Sequence, residues 1–146
     1  MDLKVRNFDL KDLNQVLEIE KASFPIDAYP KCLFKEFYIS YPEEFFVAEI
    51  SDKVVGYVLG YIFNDTGEIV SIAVKPEFRN SGVGKKLMET ILSLFKEKNL
   101  KRCILQVRVS NRIAIEFYEK LGFKVIKREK GYYIDEDAYI MEKDLL

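Results

Sequence analysis

The sequence predicts an α/β protein with one mixed central sheet, mostly antiparallel, that has a parallel strand pair and helices on both faces. Apolar residues recur at helical spacing across 83–98. Segments with strand character precede and follow this helix at 68–75 and 103–109. A strand, a helix and a second strand in this order form a βαβ unit with parallel strands. The other strands are separated by short turns, which favours antiparallel neighbours.

The first forty residues predict one strand and two helices. The strand covers about 3–7. Asp9 is a favourable N-cap for a helix over about 10–22, with Leu10, Leu13, Val16 and Leu17 on its inner face. Two prolines in the segment 24–30 prevent this helix from continuing. A second helix is expected over 31–40.

The remaining elements follow from turn signals and periodicity. Strands are expected at 44–50 and 54–63, joined by the turn Ser51-Asp52-Lys53, and the cluster Asn64-Asp65-Thr66-Gly67 predicts the next loop. A further helix is marked by Ile113, Ala114, Phe117, Tyr118 and Leu121, and Gly122 occupies the position of a C′ glycine. The last two strands are expected over 123–130 and 137–143.

The composition is that of one soluble domain over 1–146. Hydrophobic residues make up 49% of the chain and charged residues 32%, enough for a core and for solubility. The net charge of −1 gives no general attraction to nucleic acid or to an anionic membrane, and no apolar run could span a bilayer. Cys32 and Cys103 are isolated, which favours a reducing, cytoplasmic location over disulfides. The oligomeric state stays open.

The chain contains no histidine, and this restricts its chemistry. Ser-His-Asp and Cys-His mechanisms are excluded. Zinc sites that use histidine are excluded too, and we expect no metal. Any general base must therefore be a carboxylate, a lysine, a tyrosine or a water molecule.

A glycine-containing turn at the start of the helix at 83–98 is the main functional signal. Unpaired N–H groups and the positive end of the dipole at a helix start favour a bound phosphate. Gly82 and Gly84 let the backbone approach such a ligand, and Arg79 and Lys85 add positive charge. The two glycines alone are equally consistent with a turn that binds nothing.

Two common phosphate loops do not fit this spacing. A Walker A loop needs glycine at position 79 and Ser or Thr at position 86, where the chain has Arg79 and Lys86. A dinucleotide-binding loop needs glycine at position 87, which is Leu87.

The complete spacing resembles the acetyl-coenzyme A signature of the GNAT acetyltransferase superfamily. The matching positions are Ile72-Ala73-Val74, Pro76, Arg79, Gly82 and Gly84. The second half of the family pattern is matched by Leu105 to Asn111, Ala114, Phe117-Tyr118-Glu119 and Leu121-Gly122-Phe123. The resemblance covers essentially the whole chain and implies the GNAT fold.

The C-terminal segment resembles the protein N-terminal acetyltransferases, which include the ribosomal-protein-alanine enzymes and the archaeal N-alpha-acetyltransferases. The matching residues are Tyr132-Tyr133, Glu136-Asp137-Ala138 and Met141. The resemblance implies that acetyl-CoA donates its acetyl group directly to the N-terminal α-amine of a protein or peptide. A ribosomal protein or a nascent chain is the acceptor of such enzymes.

The resemblance also implies the acetyl-CoA contacts. Backbone groups of Ile72, Ala73 and Val74 are expected to pair with the pantetheine arm. The pyrophosphate is expected beside Arg79 and on the backbone N–H groups of Asn80, Ser81, Gly82, Val83, Gly84 and Lys85. Asn111 is expected to bond to the cofactor, and it is an equally good N-cap.

Tyr118 matches the family tyrosine near the coenzyme A sulfur. It lies seven residues after Asn111, two turns along the same helix face. A phenol can donate a hydrogen bond or a proton to the leaving thiolate. The other interpretation of an aromatic residue at this spacing is a core side chain.

Two polar residues, Gln106 and Glu68, are considered for the removal of the amine proton. The family group often has Glu where this chain has Gln106, whose amide cannot accept a proton at neutral pH. Gln106 could orient a water or the peptide, or it could belong to a half-exposed face with Ile104 and Arg108. Glu68 begins the strand expected beside Gln106, near the position where archaeal relatives hold a water, so it could relay a proton or be an exposed strand end.

The acceptor is expected to meet two segments, 24–29 and 131–139. The resemblance assigns substrate contacts to Phe24, Pro25, Tyr29, Tyr133 and Tyr139. Lysine side chains and small-molecule amines are alternative acceptors, although no obvious acidic cluster favours a small cation. A non-catalytic acetyl-CoA-binding module is a further alternative, since Gln106 departs from the family pattern. A purely structural domain would leave the spacing of the phosphate loop unexplained.

Overall fold

Seven strands and four α-helices make up the structure, a computed structural model that describes residues 2–146. The strands are β1 (Leu3–Asn7), β2 (Phe45–Ile50), β3 (Lys53–Phe63), β4 (Thr66–Val74), β5 (Arg102–Arg108), β6 (Lys124–Glu129) and β7 (Ala138–Asp144). The helices are α1 (Leu13–Ser23), α2 (Lys31–Ser40), α3 (Val83–Glu97) and α4 (Arg112–Lys120). Short 3₁₀ turns cover Leu10–Asp12, Pro42–Glu44 and Pro76–Phe78.

The strands form one mixed sheet in the order β1-β2-β3-β4-β5-β7-β6. The pairs β1/β2, β2/β3, β5/β7 and β6/β7 are antiparallel. Strands β4 and β5 are parallel over Thr66–Glu68, opposite Arg102–Ile104, and α3 lies between them in the chain. The predicted mixed sheet with a parallel βαβ pair is therefore confirmed.

The chain divides into two compact units, of which the first contains residues 1–61 and 71–94. Its core is aromatic where α2 packs on the strands: the Phe8 and Phe45 rings stack with centroids 4.0 Å apart, and Phe34 meets Tyr57 edge-on at 6.0 Å. Apolar side chains of α3, among them Leu87, complete this core. The predicted turn after β2 is confirmed at Ser51 and Asp52, which both have the left-handed backbone of a type I′ hairpin turn, whereas Lys53 already belongs to β3.

The first predicted helix differs from the structure at its start. Asp9 forms the expected N-cap, and it shares a capping box with Asp12. The residues after it form a 3₁₀ turn before α1 begins, and the different periodicity leaves Leu10 51% exposed. The prediction that Leu10 lies on the inner face was therefore wrong, and Ile19 and Glu20 are buried on α1 instead.

The second unit contains residues 62–70 and 95–146. The loop predicted at 64–67 is shorter than expected, since Thr66 and Gly67 already belong to β4. Gly67 is needed there because a Cβ at this position would come within 2.6 Å of the Phe95 ring. Gly122 follows α4 with a φ of +98°, which confirms its assignment as a C′ residue.

Within residues 2–146, no helix is long and apolar enough to cross a membrane.

Candidate active site

The predicted phosphate loop, residues 79–85, has the backbone geometry of an anion site. Asn80 and Gly82 have left-handed φ values of +60° and +88°, and α3 begins directly afterwards at Val83. The first helical hydrogen bond runs from the Lys86 N–H to the Gly82 carbonyl at 3.0 Å. The N–H groups of the preceding residues therefore have no partner inside the helix and point toward its start. Such a set of N–H groups at the positive end of a 15-residue helix suits a phosphate.

Arg79 ties this loop to two other elements of the first unit. Its Nε donates to the Val74 carbonyl at 2.9 Å, and its Nη2 donates to the Ser23 hydroxyl at 3.3 Å. The Ser81 hydroxyl donates to the Phe78 carbonyl and stabilises the turn before the helix. The guanidinium thus holds its charge at the end of β4 and beside the last residue of α1.

The residues predicted to meet the pantetheine arm lie at the end of β4. Ser71 and Ala73 are buried, whereas Ile72 and Val74 are half-buried. The parallel register of β4 with β5 covers Thr66–Glu68 only. The backbone at 72–74 therefore lies beyond the residues of β4 that pair with β5.

Tyr118 is buried on α4, 9% exposed, with its ring edge-on to Phe117 and Phe123 at 5.4 and 5.9 Å. Burial raises the pKa of its phenol well above 10, and Tyr133 and Cys103 add smaller electrostatic contributions. The hydroxyl therefore stays protonated at neutral pH and can act as a donor. The core and catalytic interpretations of this residue are both compatible with this position.

Asn111 forms the N-cap of α4, because its Oδ1 accepts a hydrogen bond from the Ala114 N–H at 3.2 Å. This confirms the capping interpretation. The side chain is exposed, so its amide nitrogen is available to a ligand at the start of the helix.

Glu68 and Gln106 lie on the same face of the sheet. Glu68 is the register partner of Ile104, and residues paired across strands share a face. Burial alternates along β5, so that Cys103, Leu105 and Val107 are buried while Ile104, Gln106 and Arg108 are half-buried. The predicted half-exposed face of β5 is confirmed, and it includes the Glu68 carboxylate.

Arg108 holds the segment before β7, a role that the sequence did not reveal. Its Nη1 donates to Asp135 Oδ1 at 2.7 Å and to Glu136 Oε1 at 3.0 Å, and its guanidinium lies 4.3 Å from the centre of the Tyr133 ring. The Ser110 hydroxyl also donates to Glu136 at 2.8 Å. These hydrogen bonds, led by those from Arg108, hold the pKa of both acidic groups below the usual range.

Two of the three C-terminal tyrosines, Tyr132 and Tyr133, pack edge-on with ring centroids 4.9 Å apart. The Tyr133 ring also lies 4.3 Å from the Arg108 guanidinium. Burial raises the pKa of Tyr132, and the charge of Glu68 adds to this effect. Tyr139 is the register partner of Val107, so it lies on the sheet face opposite Gln106, and its ring faces Arg128 at 5.9 Å. The structure thus brings Tyr133, but not Tyr139, to the face of Arg108.

The segment predicted to form one wall for the acceptor follows α1. Phe24 and Tyr29 are half-buried, and Pro25 is exposed. The Tyr29 N–H donates to Glu20 Oε2 at 2.9 Å, so a buried carboxylate of α1 fixes the end of the segment. Glu20 was not singled out from the sequence, although an acidic residue on the apolar face of α1 is a usable signal.

Among residues 2–146, no three Cys, Asp or Glu side chains are placed so that they could hold a metal ion. Cys103 is fully buried, and burial raises the pKa of its thiol above the neutral range, so it stays protonated. The arrangement offers a phosphate-binding loop, a buried phenol donor and a half-exposed carboxylate.

A comparison with known families identifies the class of this chain. The model of the acetyltransferase (GNAT) family matches residues 13–123, which include the phosphate loop and Tyr118. The chain belongs to the GNAT acetyltransferase family. It is an acetyl-CoA-dependent N-acetyltransferase, as the sequence predicted, and the predicted group is supported by its relatives.

Two archaeal relatives match this GNAT chain over nearly its full length. An uncharacterized N-acetyltransferase of Methanocaldococcus jannaschii is 43% identical over 95% of this chain and 90% of its own length. An N-alpha-acetyltransferase of Sulfurisphaera tokodaii is 38% identical over 99% of this chain and 94% of its own. The crystal structure of Ard1 from Thermoplasma volcanium has a TM-score of 0.96 at 34% identity and covers 100% of this chain and 99% of that one.

Proposed function

We propose that the protein transfers the acetyl group of acetyl-CoA to the N-terminal α-amine of a protein or peptide. The observation that carries this proposal is the full-length match to an archaeal N-alpha-acetyltransferase. The match to the GNAT family model ends at residue 123, whereas the match to the N-alpha-acetyltransferase includes the segment at 131–139. The similarity therefore extends to the part of the chain expected to meet the acceptor.

Acetyl-CoA binds along the end of β4 and at the start of α3. The pantetheine arm pairs with backbone groups of Ile72, Ala73 and Val74, beyond the parallel pairing of β4. The pyrophosphate accepts hydrogen bonds from the N–H groups of the phosphate loop, and Asn111 adds a side-chain contact. In this proposal residues 1–146 act together as one acetyltransferase domain.

Transfer occurs by direct attack of the amine on the thioester in a ternary complex. The thiol of Cys103 is buried and protonated, so it is not available as a nucleophile for an acetyl-enzyme intermediate. The exposed Cys32 lies on α2, outside the segments assigned to acetyl-CoA. As the carbon–sulfur bond breaks, the Tyr118 hydroxyl donates to the departing sulfur. Coenzyme A leaves as its thiol with the proton from Tyr118. The attacking amine loses one proton to solvent, and the Tyr118 phenolate regains one proton from solvent.

The proton of the attacking amine leaves through water held by Glu68 and Gln106, which share one face of the sheet. An α-amine has a pKa of about 8, so roughly a tenth of it is already neutral at pH 7. The demand on a base is therefore modest. Gln106 orients the water or the peptide, since its amide cannot accept the proton itself.

Glu68→Gln is expected to lower kcat/KM at pH 7 only mildly, and the defect should shrink as pH rises. More of the α-amine deprotonates without help between pH 7 and 9, so a relay through the carboxylate loses its advantage. The measurement is the pH profile of kcat/KM for both enzymes with one peptide. A defect that stays constant up to pH 9 would instead indicate that Glu68 binds the acceptor.

Two segments are assigned to the acceptor, one after α1 and one before β7. Phe24, Pro25 and Tyr29 contact it from the first segment, and Tyr133 contacts it from the second, held by Arg108. The predicted contact of Tyr139 with the acceptor has no such support, because Tyr139 lies on the sheet face opposite to that of Gln106. The N-terminus of a ribosomal protein or of a nascent chain is the acceptor class that this assignment implies.

A panel of peptides tests the acceptor directly. We expect acetylation of peptides with a free α-amine, and no acetylation after that amine is blocked while a lysine is left free. The position of the label is read by fragmentation mass spectrometry. Strong labelling of the lysine in the blocked peptide would move the enzyme to the lysine-acetylating class, and transfer confined to small amines would exclude a peptide acceptor.

A further inference from the structure

Glu20 is a buried carboxylate in α1 whose hydrogen bonds join three parts of the first unit. The residue is 1% exposed. Its Oε1 accepts hydrogen bonds from the hydroxyl of Tyr57 on β3 and, at 2.8 Å, from that of Ser71 on β4. Its Oε2 accepts from the backbone N–H of Tyr29 at 2.9 Å. Oε1 therefore bonds to side chains on two strands, and Oε2 bonds to the backbone after α1.

The donors to this carboxyl group are hydroxyls and a backbone N–H, which are neutral. Burying a carboxylate is costly unless hydrogen bonds replace its water, and three of them do so here. The hydroxyl oxygens of Tyr57 and Ser71 are 3.1 Å apart, so the Oε1 side is held on two neighbouring strands. A carboxyl group fixed in this way can hold the donor to its other oxygen, Oε2, in a defined position.

The group that bonds to Oε2 is the backbone of the segment proposed to bind the acceptor. Two prolines, Pro25 and Pro30, keep the residues after α1 out of a helix, so no regular secondary structure fixes them. The Tyr29 N–H precedes Pro30, which has no N–H of its own. The bond to Glu20 is therefore a backbone tether at the C-terminal end of this segment.

We propose that Glu20 is a positioning residue for the acceptor peptide, which it controls by fixing the backbone at Tyr29. This inference rests on the proposed function, in which Phe24, Pro25 and Tyr29 contact the peptide. It assigns to Glu20 an effect on the KM of the peptide and none on the binding of acetyl-CoA. A role in stability alone would give no such selectivity.

The two oxygens of Glu20 allow matched variants. Glu20→Met keeps most of the volume and removes every hydrogen bond, including the tether. Tyr57→Phe removes one bond on the Oε1 side and leaves the tether. Glu20→Gln can keep the tether, because its amide NH₂ can face the two hydroxyls, which also accept, while its oxygen accepts from the Tyr29 N–H.

The experiment measures steady-state kinetics with a peptide substrate, acetyl-CoA affinity by calorimetry, and thermal unfolding for each variant. We expect Glu20→Met to raise the peptide KM about tenfold, which corresponds to ~1.4 kcal/mol, with kcat and acetyl-CoA affinity close to wild type. Glu20→Gln should restore the KM. Tyr57→Phe should lower the unfolding temperature without raising the KM.

Unchanged peptide KM in a folded Glu20→Met enzyme would overturn the inference while leaving the proposed function intact. An equal rise of KM in Tyr57→Phe would also overturn it, because general destabilisation would then explain the effect. If Glu20→Met does not fold, Tyr29 is replaced by its α-hydroxy acid, which keeps the side chain and exchanges the backbone N–H for an ester oxygen, and the same rise is expected. Absence of peptide acetylation by the wild-type enzyme would instead contradict the proposed function.

Discussion

Tyr118→Phe is expected to lower kcat by about ten- to a thousandfold, a range within reach of general acid catalysis, while acetyl-CoA affinity stays nearly unchanged. The substitution removes only the hydroxyl. The ring keeps its edge-on contacts with Phe117 and Phe123, so packing is preserved. The upper part of the catalytic range is not expected, since a phenol of raised pKa is a weak acid toward a thiolate whose conjugate acid has a pKa of about 8.5.

The pH profile of kcat/KM tests whether Tyr118 acts as a proton donor. Because burial raises the pKa of Tyr118 above 10, the hydroxyl keeps its proton throughout the range from pH 7 to 9.5. The wild-type kcat/KM should rise with deprotonation of the acceptor amine and should show no fall from Tyr118 within this range. The measurements are steady-state rates over this pH range and calorimetric titration with acetyl-CoA for both proteins. Full activity of Tyr118→Phe would return this residue to a packing role.

Local patterns predicted most of the fold and the phosphate loop. The parallel strand pair followed from the order of strand, helix and strand, and the loop followed from the spacing of Arg79, Gly82 and Gly84. The helix start was less predictable, because the capping box of Asp9 permits a 3₁₀ turn as well as an α-helix, and this turn exposes Leu10.

The contacts that shape the acceptor side of the site could not be predicted, since they join residues far apart in the chain. Glu20 bonds to hydroxyls 37 and 51 residues away, and Arg108 bonds to a carboxylate 27 residues away. A single sequence shows an acid on an apolar helix face, but it does not show which donors will surround that acid. For the same reason, the spacing of Tyr133 and Tyr139 did not reveal that Tyr133, before β7, lies beside Arg108, whereas Tyr139, on β7, lies on the opposite sheet face.

Gly82→Asp is expected to weaken acetyl-CoA binding about tenfold or more relative to Gly82→Asn. The sequence predicts that Gly82 lets the backbone approach a phosphate, and a Cβ on Gly82 would meet no protein atom within 4 Å. The φ of +88° strains any side chain, and Asn and Asp tolerate left-handed backbone better than most residues. The two variants therefore share the backbone cost and differ in one negative charge beside the proposed pyrophosphate.

Calorimetric titrations of the two variants at several salt concentrations measure this difference. Like-charge repulsion at an exposed loop is screened by salt, so the ratio of the two Kd values should fall as ionic strength rises. A ratio that does not change with salt would indicate altered loop structure instead of electrostatic repulsion. Equal Kd values for Gly82→Asp and Gly82→Asn would mean that the phosphates bind elsewhere and that Gly82 only shapes a turn.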